Sequence, residues 1–221
     1  MKNFILIIVA AITFTAAQSQ TMTEPDRNGD RQEEINSLFN NIGDMGWWIS
    51  PDFAWTKFNG KDGFLGGMSG GVILNHSYSI GGALYGIIPS QNLRFSGIND
   101  TADVYLYGGY GGLKLEYRLN SLKLFNIAFP LLIGGGGIAY STWGPKDWYS
   151  TSYDKNYDNS YIWDSFFVIE PGVAIGINIL KFMRLDAGVS YRFTSGIDLP
   201  ETGSDNLNSL NVNLSLKFGK F

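Results

Sequence analysis

From Phe167 to Ile179 every second residue is large and apolar: Phe167, Ile169, Val173, Ile175, Ile177 and Ile179, with Pro171 among them. The residues between are Val168, Glu170, Gly172, Ala174, Gly176 and Asn178. A period of two fits a strand, whose successive side chains point to opposite faces, and does not fit a helix. One face of this strand is greasy and the other is small and partly charged. Similar stretches occur at Gly46–Lys57, Phe64–Asn75, Tyr78–Ile88, Asp103–Tyr117, Leu124–Tyr140, Ser165–Ile179, Met183–Thr194 and Ser209–Phe218. A chain of 221 residues with this many amphipathic strands must hide one face of a single continuous sheet.

The N-terminus indicates where that happens. Lys2 precedes an apolar run from Phe4 to Phe14, followed by small residues and Gln18-Ser19-Gln20. This is the layout of a cleaved signal peptide, residues 1–19, with cleavage after Ala17 or Ser19. The run is too short to span a bilayer as a helix, and no later segment offers about 20 uninterrupted apolar residues. With no cysteine, the chain carries neither a disulfide framework nor a lipid-modified cysteine. The net charge of −4 is mild and Lys and Arg form no stripe, which argues against a nucleic-acid partner.

Residues 20–44 form a polar leader with Asp26, Asp30, Glu33 and Glu34. Ile35, Leu38, Phe39 and Ile42 fall at helical spacing near its end, which predicts a short amphipathic helix there. Residues 45–221 are then one barrel. The connections around His76, Asn120 and Lys181 are short, whereas Pro89–Thr101, Ser141–Asp164 and Ser195–Asn208 are long. The first hairpin is expected to close through Asn59-Gly60-Lys61-Asp62-Gly63. Short and long connections alternate, as tight periplasmic turns and longer outer loops do in membrane barrels.

Alternation alone also fits a soluble barrel with the greasy face inside. Two features favour the opposite arrangement. The small face is rich in glycine, including Gly67, Gly71, Gly112, Gly134 and Gly176, which suits a narrow lumen. Aromatics gather near strand ends, among them Trp47, Trp55, Tyr105, Tyr107, Tyr117, Phe125, Tyr191, Phe193 and Phe218, as interfacial girdles require. The expected fold is therefore all-β: an eight-stranded antiparallel up-and-down transmembrane β-barrel in the outer membrane of a Gram-negative bacterium.

Several segments also carry a family resemblance. Asn75-His76-Ser77-Tyr78-Ser79-Ile80-Gly81-Gly82, Phe129-Pro130-Leu131-Leu132-Ile133-Gly134 and Phe167-Val168-Ile169-Glu170-Pro171-Gly172 are three of them. Ser190-Tyr191-Arg192-Phe193-Thr194-Ser195-Gly196 and Leu216-Lys217-Phe218-Gly219-Lys220-Phe221 are two more. Together, over about Gly46 to Phe221, the chain resembles a family of small outer-membrane barrels similar in architecture to OmpX and the OmpA barrel, mostly without assigned activity. That resemblance implies a structural or surface-interaction protein.

By parity the lumen receives Asp52, Glu116, Glu170 and Asp186 against Lys114, Arg118, Arg184, Arg192 and Lys217. An eight-stranded lumen is just wide enough to be filled by side chains, and charges buried there must pair. The expectation is an ion-paired plug; a narrow ion channel or small-solute pore is the alternative. If Leu180, Lys181 and Phe182 form the turn, Glu170 falls opposite Arg192 and Gly176 opposite Asp186, which predicts a Glu170–Arg192 ion pair.

A lipid-modifying enzyme is the other alternative. It is disfavoured because the single histidine, His76, sits beside Ser77 in a tight turn with no evident residue to orient its ring. Asp26–Asp30 and Asp154–Asp158 have calcium-loop spacing but lack the required glycine and glutamate, so no metal and no cofactor is expected. The loop 141–164 carries Trp143, Trp148, Tyr149, Tyr153, Tyr157 and Tyr161 among Ser, Asp and Asn, a composition suited to a glycan or a protein partner. The remaining expected partners are outer-membrane lipid and, through the C-terminal strand, the barrel-assembly machinery. The chain is expected to be a monomer.

Overall fold

The computed structural model describes residues 44–90, 93–95, 104–141, 162–199 and 202–221. The expected signal peptide, the leader up to residue 43 and the aromatic loop residues Trp143, Trp148, Tyr149, Tyr153, Tyr157 and Tyr161 lie outside the described residues.

Eight long strands carry the fold: β1 (Met45–Phe58), β2 (Lys61–Leu74), β3 (Tyr78–Ile88), β4 (Val104–Leu119), β5 (Phe125–Ser141), β6 (Ile162–Leu180), β7 (Met183–Ser195) and β8 (Ser209–Lys220). Each pairs antiparallel with its neighbours in sequence, and β8 pairs with β1 to close the ring. Closure leaves no open sheet edge, so every strand has partners on both sides. A two-residue strand, Arg94–Phe95, pairs with the start of β4, and a small ribbon of Asp198–Leu199 and Thr202–Gly203 precedes a one-turn helix, Ser204–Leu207.

The strands of the sequence reading are all present, and the differences lie at their ends. β2 begins at Lys61 and not Phe64, because the first hairpin is tighter than its five-residue expectation. Asn59 and Gly60 have φ of 48° and 75°, a two-residue turn of the kind that suits the twist of a hairpin. Lys61, Asp62 and Gly63 therefore join the ladder opposite Phe58, Lys57 and Thr56. Short and long connections consequently do not alternate strictly. The β6–β7 turn is also shorter than expected: Leu180 pairs with Met183, and a register irregularity between Asn178 and Leu180 absorbs the difference.

Inside and outside follow parity. On β1, Trp48, Ser50, Asp52, Ala54, Thr56 and Phe58 are buried while Trp47, Ile49, Phe53 and Trp55 are exposed. Ile175, Val189 and Leu214 are likewise exposed, with Trp163, Phe125 and Phe182 toward strand ends. The large apolar residues thus coat the outside, which inverts the usual plan of a globular protein. One end of the barrel carries Met45, Phe221 and the tight turns at Asn75-His76, Asn120 and Lys181-Phe182; the other carries the longer connections. They are called here the turn end and the loop end.

Candidate functional site

With large side chains outside, what the protein holds in place is its lumen, which has two storeys of opposite chemistry. Toward the turn end, Arg118 bridges two carboxylates. Its Nη2 donates to Glu116 Oε1 at 2.6 Å and to Asp186 Oδ2 at 2.5 Å, and its Nη1 to Asp186 Oδ1 at 3.0 Å. Nη1 also donates to Asn126 Oδ1. Lys217 closes the ring by donating to Glu116 at 2.7 Å and lying 3.0 Å from Asp186. Two cations and two anions, all buried, therefore neutralise one another. Gly176 makes room for this, since a Cβ there would strike Asn126, Arg118 and Asp186 at once.

Beside this ring lies Asp52, which accepts from Ser50 at 2.8 Å, from Tyr85 at 3.1 Å and from Ser69. Lys114 lies 3.4 Å from the same carboxylate and also donates to Ser69 and Tyr85. Two ammonium groups lie over the Trp48 ring, Lys114 Nζ at 5.5 Å and Lys217 Nζ at 4.7 Å. A desolvated cation over an indole face is a favourable electrostatic contact. Arg184 occupies the turn end itself, donating to Asn178 Oδ1 at 2.6 Å and to the Ser121 carbonyl at 3.1 Å. Its guanidinium stacks on the ring of the terminal Phe221 at 4.1 Å, so that aromatic caps the lumen.

Toward the loop end the chemistry changes. Leu65, Leu106, Ile138, Tyr140, Phe166 and Val168 from the strands pack with Leu93, Ile197 and Leu207 from the connections, all buried. The expectation of an ion-paired plug thus describes only half of the lumen. The Glu170–Arg192 ion pair is not formed, although the register is the expected one around Gly176↔Asp186 and Ile169↔Phe193. Glu170 accepts from Tyr110 at 2.7 Å and Ser190 at 2.5 Å. Arg192 instead turns toward the loop end, donating to the Leu207 carbonyl at 2.9 Å, Thr56 Oγ1 at 3.2 Å and the Lys57 carbonyl at 3.3 Å. It stacks on Phe58 at 4.6 Å. Backbone carbonyls and ring faces compete for a guanidinium, and sequence spacing does not register them.

Between the storeys lies a cavity of about 50 Å³ lined by Lys114, Glu116, Glu170, Asp186, Ser190 and Lys217, among others. That volume is room for a few water molecules. A smaller space of about 10 Å³ at the turn end is lined by His76, Glu116, Arg118, Arg184 and Phe221. The orienting partner of His76 missed by the sequence reading is Asp44, whose Oδ2 lies 3.2 Å from Nε2. Among the described residues no hydroxyl hydrogen-bonds the imidazole. Parity already put Trp48, Ser50, Ser69, Tyr85 and Tyr110 on the inward face, and this was the available signal for the neutral half of the network. No group of metal-ligating side chains occurs among the described residues.

No protein-family profile matches the sequence. No curated protein matches it either. Solved structures do match. The crystal structure of Neisserial surface protein A superposes with a TM-score of 0.50 at 12% identity, covering 80% of this chain and 97% of that one. The fold is that of the small eight-stranded outer-membrane β-barrels. Ail of Yersinia pestis, solved with the heparin analogue sucrose octasulfate, matches at a TM-score of 0.45 and 14% identity, over 79% of this chain and 97% of Ail. The outer membrane protein AlkL, solved in lipid bilayers, matches at 0.36 and 11% identity, over 90% of this chain and 96% of AlkL. The first of these likenesses is one of fold.

Proposed function

We propose that this barrel is a non-conducting protein of a Gram-negative outer membrane, with a structural or surface-interaction role exercised at its loop end. The observation that carries this reading is the filled lumen. An ion entering from the turn end meets the Arg118–Glu116–Asp186–Lys217 ring, whose charges are already neutralised by one another. Beyond the cavity it meets the packed apolar storey around Leu132 and Val168, where a bare ion is strongly disfavoured. The expected periplasmic side is the turn end, where both Asp44 and Phe221 lie.

The loop aromatics Trp143, Trp148, Tyr149, Tyr153, Tyr157 and Tyr161 are the proposed contact set for a glycan or protein. A catalytic role is disfavoured because His76 lies at the turn end, whereas chemistry on an outer-leaflet lipid needs its base at the other. The test has two arms. Purified barrel in planar bilayers is expected to show no unitary conductance, and discrete channel openings would refute the sealed lumen. Serine at the six aromatics is expected to abolish binding of expressing cells to glycan or host-protein arrays while heat-modifiable gel mobility is kept. Undiminished binding would refute the loop assignment.

A further inference from the structure

Glu170 and Arg192 stand directly opposite one another on β6 and β7, since the pairs Ile169↔Phe193 and Gly172↔Ser190 on either side fix the register. Both are buried, and no ion pair joins them. The carboxylates of Asp52, Glu116 and Asp186 each have a cation in contact, whereas Glu170 has only the hydroxyls of Tyr110 and Ser190. Arg192, 1% exposed, leaves its Nη1 without an acceptor. An unpaired carboxylate facing an incompletely satisfied guanidinium across one strand pair is an arrangement with an unused alternative.

What Arg192 does instead is hold the barrel mouth. Its Nε donates to the carbonyl of Leu207 at 2.9 Å, at the end of the one-turn helix, and its Nη2 reaches β1 at Thr56 and Lys57. The same turn is fastened by the Asn59 amide, which donates to the Asn206 carbonyl at 2.7 Å. Leu207, 2% exposed, is thereby seated in the apolar storey.

We infer that Arg192 is a two-position latch for the helical turn Ser204–Leu207. In the latched position seen here, the guanidinium joins Leu207 to β1. In the released position it turns to the Glu170 carboxylate, gives up the Leu207 carbonyl, and lets Leu207 leave the lumen. Directly opposed inward side chains on paired strands are within reach of such an ion pair. Tyr110 stands between the two positions: its hydroxyl holds Glu170 Oε2 at 2.7 Å and its ring lies 5.6 Å from the Arg192 guanidinium. Each position satisfies the cation with a different set of acceptors, which makes the change discrete and not a gradual loosening. Release reshapes the exposed mouth while Leu132 and Val168 still seal the lumen. The latch therefore stands or falls separately from the non-conducting reading.

Amide hydrogen exchange of the full chain in phospholipid nanodiscs tests it, comparing residues 202–208 with β1. Arg192→Gln is expected to speed exchange of the turn at least about tenfold, as loss of a charged hydrogen bond implies. Glu170→Gln removes the negative charge that draws Arg192 to the released position and is expected to slow exchange about threefold. Tyr110→Phe frees the carboxylate for Arg192 and is expected to speed it by a similar factor. A purely structural Glu170 would give faster exchange on substitution, as general destabilisation does, so the sign decides. Unchanged or faster exchange in Glu170→Gln overturns the latch. If that variant fails to give a heat-modifiable barrel, unchanged or slower exchange in Tyr110→Phe does so.

Discussion

Toward the turn end Arg118, Glu116, Asp186 and Lys217 contact one another through four short ion pairs, whereas toward the loop end Leu65, Leu106, Phe166 and Val168 pack without a carboxylate among them. The same strands wall both storeys, and the same inward parity supplies both. The difference teaches what fills a narrow lumen. Where residues from several strands bring both signs to one level, a charged plug is satisfied from within. Where the connections dip inward, Leu93, Ile197 and Leu207 complete an ordinary apolar core. The charged storey specifies geometry through directional bonds; the apolar one fills volume. Arg192 belongs to neither pattern, a lone cation in the apolar storey held by carbonyls and ring faces.

The contrast can be broken most sharply at Asp186. Asp186→Asn leaves Arg118 and Lys217 under-neutralised and is expected to cost about 3–5 kcal/mol in urea unfolding from lipid vesicles. A loss below about 1 kcal/mol would place the ring with solvent-exposed pairs and erase the distinction. In the other storey, Leu65→Ala is expected to cost about 2–5 kcal/mol by the same titration, through lost burial and a cavity. Enhanced water penetration without loss of stability would show that the storey is loosely packed. On the lipid face, Ile175→Lys is expected to cost about 2–4 kcal/mol, while Ala174→Lys acts through crowding of the lumen. Full tolerance of lysine at position 175 would contradict a lipid-facing wall.

Pairwise coupling sharpens the comparison further. A double-mutant cycle on Arg118 and Asp186 is expected to give about 1–3 kcal/mol, and one on Glu170 and Arg192 below about 0.5 kcal/mol. Equal couplings would mean that Arg192 already rests on Glu170. The smallest effect is expected at the turn end, where Asp44 is well exposed. There His76→Ala is expected to change stability by less than about 1 kcal/mol, read as a shift in the midpoint of the same titration.

The sequence by itself determined the strands, their faces and the apolar exterior, because a period of two is a local property that every strand states for itself. It also placed all nine charged lumen residues inward, since parity carries from the apolar positions to the rest of the strand. The register between β6 and β7 followed as well, because one short turn ties them and a single irregularity near Asn178 leaves the pairs beyond it in place. The first hairpin is tighter than its sequence suggests, because Gly63 reads as a turn residue although the positive φ falls at Asn59 and Gly60. Which charges meet was decided only by the tertiary structure. Arg118 and Asp186 lie on strands that are not neighbours, and closure of the ring brings them together. Arg192 faces Glu170 across one ladder and still bonds the Leu207 carbonyl, because that choice depends on where a distant connection folds inward. Local periodicity fixes which way a side chain points; only the closed barrel sets what it finds there.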